Sequence, residues 1–252
     1  MKDTQTEKKN KLGIIPIPKL LFSMSIPAII SMMIQAMYNI VDSIFVAQIG
    51  EEALTAVSLA FPIQMIIISC FVGMGIGINS AISRRLGQNK KNEAANVAEH
   101  GFLLAMLIAA VLGILGFFTA ETFISLFTDN ANIIAQGRAY LMIVTVFCFG
   151  SFVTQAAYSM LQGSGEMIQP MVGQIIGAIT NIVLDPIMIF GWFGFPALGV
   201  AGAAIATVIG QLFGMTYMLL VIFRSSKNYL KLDYKVFHYE TEIVKDIFKV
   251  GL

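Results

Sequence analysis

The stretch ALTAVSLAFPIQMIIISCFVGMGIGINSAIS (Ala53–Ser83) contains no charged residue and runs straight into RRLGQNKK (Arg84–Lys91). About 20 mostly apolar residues suffice to cross the hydrocarbon core of a bilayer. A basic cluster at the end of such a run marks its cytoplasmic side. The stretch therefore reads as a transmembrane helix that exits at a cytoplasmic loop. Outward from it, five more runs of the same kind are predicted, at Leu20–Gln48, Gly101–Phe118, Ile133–Leu161, Ile168–Trp192 and Val200–Phe223. The ten-residue alternation of a membrane β-barrel is absent.

Composition points the same way. Hydrophobic residues make up 57% of the 252 and charged residues 12%. Soluble domains carry about 25% charged residues, so this chain lacks the charge to cover a water-exposed surface. Mean hydropathy is +0.78. A soluble enzyme, a disordered chain and a basic nucleic-acid binder are excluded, the last by a net charge of +1. Cys70 and Cys148 have neither disulfide-framework nor metal-ligand spacing. An enzyme is not expected, because no Ser/His/Asp set or metal cluster is present and the two histidines, His100 and His238, fall at membrane edges.

Basic residues set the orientation. They cluster before the first span (Lys2, Lys8, Lys9, Lys11, Lys19), after the second (Arg84, Arg85, Lys90, Lys91) and after the sixth (Arg224, Lys227, Lys231, Lys235, Lys245, Lys249). The alternate loops hold Glu51, Glu52, Glu121 and Asp129, and only Arg138 falls near the opposite side. The expectation is a multi-pass protein of the plasma membrane with both termini cytoplasmic. Residues 1–19 form a lead-in, 20–223 a six-helix unit and 224–252 a linker. Within the linker, Ile243, Ile247, Phe248 and Val250 interleave with Glu242, Lys245, Asp246 and Lys249, an amphipathic pattern suited to a membrane surface. The linker also resembles the lead-in, so it reads equally as the start of a second copy of the first helix. Gly173/Gly177, Gly210/Gly214 and the Gly73–Gly77 cluster are expected to be close helix contacts.

Two acids lie inside spans, Asp42 and Asp185. A carboxylate in hydrocarbon costs at least about 2.5–3.5 kcal/mol on insertion scales, so a cavity, a partner or a bound proton must offset it. Counted at 1.5 Å per residue, both lie about 10–12 Å below the outer ends of their helices. Thr207, on an oppositely directed helix, falls at the same depth. Tyr38 and Gln35 share a helical face with Asp42; Asn181 and Gln174 share one with Asp185. Pro186 lacks an N–H and its ring opposes the carbonyl of Ile182, which predicts a kink beside Asp185. Carboxylates, an amide oxygen and a hydroxyl are hard oxygen ligands that suit a small cation or a proton relay. The bland alternative is hydrogen-bonded glue between helices. Gln64, Asn79 and Gln155 read as packing or cavity lining.

Five segments resemble the multidrug and toxic compound extrusion (MATE) family, in family order. They are NIVDSIFVAQIGEEALTAVSLAFP (Asn39–Pro62), SRRLGQNKKNEA (Ser83–Ala94), LQGSGEMIQPM (Leu161–Met171), NIVLDPIMIF (Asn181–Phe190) and LGVAGAAIAT (Leu198–Thr207). The resemblance implies an all-α membrane fold, with six transmembrane helices forming one lobe of a two-lobe (6+6) transporter. It implies a Na+- or H+-coupled antiporter that exports cationic or amphipathic drugs and toxins by alternating access, with no cofactor. Asp42, Asn181, Asp185 and Thr207 match the family's coupling-cation positions, with Tyr38 a neighbour and Gln35 and Gln174 as supporting polar cavity. The implied partners are organic cations, the lipid bilayer and a second six-helix lobe. Two rivals stand beside this reading. One is a flippase for lipid-linked precursors, against which counts the lack of mid-membrane Lys or Arg to hold pyrophosphate. The other is a structural half that acts only with a partner chain.

Overall fold

Uninterrupted apolar runs satisfy their backbone groups internally as helices, the one open-ended structure a bilayer tolerates. The computed structural model describes residues 16–224 and 237–251, and within them the helices are α1 (Ile17–Ile49), α2 (Glu51–Gly87), α3 (Lys91–Ser125), α4 (Ala131–Val146), α5 (Phe149–Gly163), α6 (Ile168–Phe190), α7 (Val200–Arg224) and α8 (Thr241–Gly251). Lys2, Lys8, Lys9, Lys11, Lys227, Lys231 and Lys235 lie outside the described residues. The fold is all-α, with five helices long and apolar enough to span a membrane, or six when α4 and α5 count as one bent span.

That bend is a departure from the single helix predicted over Ile133–Leu161. α4 and α5 meet at 41° across Phe147 and Cys148. Two features meet at the bend. Thr145 turns its Oγ1 back to donate to the Leu141 carbonyl at 2.7 Å and approaches that of Met142 at 3.3 Å, a habit that bends helices. Gly116 and Gly113 of α3 press directly on this turn, leaving no room for a side chain at Gly116. α6, in contrast, continues as one helix through Pro186.

Helices α2 and α3 extend well beyond their apolar cores. Glu51 and Glu52 open α2, and Arg84 and Arg85 close it, each sign complementing the helix dipole. Only Gln88–Lys90 separates α2 from α3, with Asn89 in the left-handed region at φ 60°, a conformation Asn tolerates. Glu93 and Glu99 thus lie within α3 rather than in a loop, and Glu99 is buried.

Two apolar clusters hold the bundle. One joins the basic end of α2, the first half of α3, α5, the end of α7 and α8, through Ile78, Ile82, Phe152, Met160, Met218 and Ile247. The other lies at the opposite end, where Val46, Ala53, Tyr140, Leu141, Ile189 and Ala203 meet. α1 sits at the edge of the bundle, chiefly against α6, and Val46 is its one buried residue. α8 does not lie free along a membrane surface. Its apolar residues Ile243 and Ile247 are buried, and its backbone closes directly on Gly73 and Gly77 of α2.

The hairpin of α6 and α7 has the most extensive helix contact in the chain. Gly191 ends α6 at φ 77°, where a side chain would be strained and would also meet Phe195 O at 2.6 Å. The amides of Leu198 and Gly199 then donate to the Met188 and Ile189 carbonyls at 3.0 and 3.2 Å. This tight return starts α7 against the end of α6. Gly177 and Gly210 face each other further along, as do Gly173 and Gly214, so the predicted small-residue pairs form one seam.

Candidate functional site: a buried carboxylate cluster

The α6–α7 seam delivers three polar side chains to one point. Asn181 Nδ2 donates to Asp185 Oδ1 at 3.1 Å, one helical turn along α6, and lies 3.4 Å from Thr207 Oγ1 on α7. Asp185 has no solvent exposure, Asn181 has 2% and Thr207 7%. From α1, Asp42 comes within electrostatic reach of Asp185, and Tyr38 lies beside both Thr207 and Asp42. Five of the predicted residues are therefore gathered from three helices.

Gln35 and Gln174 are not part of this group. They pair with each other, Gln174 Nε2 donating to Gln35 Oε1 at 3.0 Å, and pin α1 to α6 two to three turns away along the helices. Sequence reasoning missed Tyr140. It is buried on α4, accepts a hydrogen bond from Gln64 Nε2 at 2.8 Å, and lies within electrostatic reach of Asp42 and Asp185. Its signal was a phenol within a predicted span. Tyr140→Phe leaves the Gln64 amide without its acceptor, and the expected loss is about 0.5–1.5 kcal/mol, read as a lowered melting temperature in detergent.

Acceptors outnumber donors here. Asp42 Oδ1, Asp185 Oδ2 and Asn181 Oδ1 are all buried without a hydrogen-bond partner. Among the described residues, the ion pairs lie elsewhere, at Arg84 and Arg85 with Asp246, at Lys90 and Arg85 with Glu93, and at Arg138 with Glu121. Buried polar atoms are almost always satisfied, so these open oxygens mark the cluster as a candidate site. Among the described residues no group of three His, Cys, Asp or Glu side chains could hold a metal ion.

Asp42 also opens into a cleft of about 220 Å³ between α1 and α2. Ser43 and Ser58 give it hydroxyls; Val46, Val57 and Phe61 give it apolar walls. Drug-sized sites measure about 300–1,000 Å³, so this cleft is smaller than such a site.

A bundle of membrane-spanning helices with an unpaired carboxylate layer defines a polytopic membrane protein of the transporter class. The chain belongs to the MATE family, whose model, MatE, matches residues 27–187. It is 31% identical over 218 residues to the "FAD transporter" of Shewanella oneidensis, covering 84% of this chain and 48% of that protein. It is 28% identical over 255 residues to the "Probable multidrug resistance protein YoeA" of Bacillus subtilis, covering 98% and 53%. The solved structure described as the outward-facing conformation of a multidrug resistance MATE family transporter superposes with a TM-score of 0.87 at 31% identity, over 92% of this chain and 51% of that one. The chain thus spans about half the length of the relatives it matches, as one six-helix lobe would. Members of the family are transporters rather than enzymes.

Proposed function

We propose that this lobe binds a coupling cation, Na+ or H+, at Asp42, Asn181, Asp185 and Thr207, and that it serves a two-lobed antiporter exporting cationic or amphipathic compounds. The observation that carries the reading is the trio of unpartnered buried oxygens on Asp42, Asp185 and Asn181. A cation bound there removes the repulsion between the two carboxylates. A cationic substrate drawn to Asp42 through the α1–α2 cleft competes for the same charge, so ion and substrate exclude each other and are coupled. Pro186, in mid-helix beside Asp185, deprives the Ile182 carbonyl of its usual donor and is where α6 bends as the states exchange.

The orientation follows the basic residues. Arg84, Arg85, Lys90, Lys91 and Arg224 stand at the ends of α2, α3 and α7 that alternation puts on one side, and we assign that side to the cytoplasm of a plasma-membrane protein.

Efflux of ethidium from drug-sensitised cells producing this chain together with a second six-helix lobe tests the proposal. Gradient-driven efflux is expected, with Asp42→Asn reducing it by about 5- to 150-fold, the usual range of coupling energies. Undiminished efflux in that variant overturns the coupling role.

A further inference from the structure

The α1–α2 cleft is lined by groups that accept hydrogen bonds and by none that is free to donate one. Ser43 Oγ donates to the Asn39 carbonyl at 2.8 Å, and Ser58 Oγ donates to the Leu54 carbonyl at 2.7 Å. A hydroxyl has one proton, so each serine has committed its own to its helix and keeps only lone pairs for the cleft. Ionised Asp42 accepts only. Phe61 contributes an aromatic ring, and the remaining lining is aliphatic. Pro62 supplies a further acceptor. α2 runs on through it, and because proline has no N–H, the carbonyl of Ser58, four residues earlier, loses its helical donor. Asp42 lies eight residues before Gly50 and Ser58 eight residues after it. At about 1.5 Å per residue the two oxygen groups lie at one depth, about 12 Å from the turn between the helices.

We propose that Ser43, Ser58 and Phe61 form a selectivity wall beside Asp42 that takes the compact head of an alkylammonium ion. On the export reading above, on which this rests, the wall holds the charged end of a cationic substrate. An anion or a neutral acceptor finds no donor in the cleft and meets the Asp42 charge. An ammonium head instead meets carboxylate, carbonyl and hydroxyl oxygens, and the face of an aromatic ring attracts it as well. Size sets the second limit. The cleft measures about 220 Å³, whereas a cavity of about 150 Å³ holds benzene and drug-sized sites begin at about 300 Å³. A trimethylammonium head therefore fits, while longer arms on the nitrogen hold the charge away from Asp42. A larger cation enters by its charged end, with the rest of the molecule outside the wall. A lipid acyl chain is a poor occupant, since it leaves the Asp42 carboxylate and the Ser58 carbonyl against hydrocarbon.

Equilibrium dialysis of radiolabelled tetramethylammonium against this chain in lipid nanodiscs, with empty nanodiscs as the blank, tests the wall. Saturable binding is expected, displaced by choline but not by its uncharged carbon isostere, in which tert-butyl replaces trimethylammonium. Tetrabutylammonium should displace it at least about fivefold less well, the smaller end of overpacking effects. Phe61→Leu should weaken binding about two- to fivefold, the usual effect of an exposed cation–π contact, and Phe61→Trp should tighten it, since indole is the best of the rings. Phe61 is 53% exposed, so neither change removes core packing. Pro62→Ala returns a donor to the Ser58 carbonyl and should weaken binding about two- to tenfold. No saturable binding, equal displacement by the isostere, a preference for tetrabutylammonium, or an affinity unmoved by the Phe61 variants or by Pro62→Ala each overturns the wall. Ethidium efflux in Asp42→Asn judges the export reading separately. Its loss alongside an unselective cleft overturns the wall alone, and undiminished efflux alongside a selective cleft overturns coupling at Asp42 alone.

Discussion

Replacing Asp185 with asparagine is expected to raise the melting temperature of the cation-free lobe and to erase its response to the coupling ion. The two halves of this expectation have one cause. Asp185 is fully buried, carries one oxygen without a partner and lies within electrostatic reach of a second carboxylate, Asp42. An unsatisfied buried polar atom costs about 1–3 kcal/mol, and more when charged. Asparagine keeps the shape and still presents an oxygen to Asn181 Nδ2, but it removes the charge and its repulsion of Asp42. For a chain of this size each kcal/mol moves the midpoint by about 2–4 °C. A ligand that binds the folded state alone adds about 2.7 kcal/mol at a hundredfold excess over its Kd, so the wild type should melt higher in NaCl than in choline chloride if Na+ is the ion, and the variant should not. The rival, in which the acids are interhelical glue, makes the opposite prediction. There, Asp185→Asn weakens a charge-assisted hydrogen bond to Asn181 worth about 1.5–3 kcal/mol and the lobe melts lower. Parallel melting curves of wild type and variant, with and without Na+, separate the two by sign. Such a trade, in which a site is less stable than its neutral replacement, is what selection for function leaves behind.

What could be read from the sequence was whatever depends on one helix at a time. Apolar runs located the spans, and the isolation of Asp42 and Asp185 within them marked the candidate site. Counting residues from the helix ends put Thr207 at their level, because depth along a helix is a matter of rise per residue. The unread features all depend on a partner far away in the chain. The α4–α5 bend arises where Thr145 meets Gly116 and Gly113 of α3. Tyr140 joins the site through Gln64, 76 residues distant. Burial of His100 needs Glu240, 140 residues on. The α8 pattern was legible as amphipathic, but periodicity cannot say whether an apolar face meets lipid or protein, and here it meets α2. Helix ends were underestimated for a simpler reason. A hydropathy window stops at the first charges, whereas α2 and α3 carry their charged residues inside their terminal turns.

Gly210→Ala, a single added methyl at a distance from any charge, is expected to cost the lobe both stability and its ion site. Gly210 faces the Gly177 carbonyl on α6, where a Cβ would sit 2.7 Å from that oxygen, closer than side-chain carbons are found. The same Cβ would lie 3.2 Å from Asn181 Cβ. Neither neighbour is the free end of a flexible chain, so relief must come from α6 and α7 moving apart. Overpacking of this kind costs about 1–3 kcal/mol, and in a membrane the loss falls on close backbone packing, the main attraction between helices there. Thr207 lies one turn before Gly210 on the same helix, and Asn181 lies one turn after Gly177. Separating the seam therefore widens the 3.4 Å approach of Asn181 to Thr207 and breaks up the oxygen set. The expected outcome is a lower melting temperature together with a reduced shift on adding the ion, whereas Gly214→Ala should lower stability with less effect on the ion response. At Gly214 a Cβ would stand 3.3 Å from the Gly173 carbonyl, two turns from Thr207 along α7. If both substitutions reduced ion binding equally, the seam would be acting through global stability alone. If Gly210→Ala left the ion response intact, close approach of α6 and α7 would not be what assembles the site.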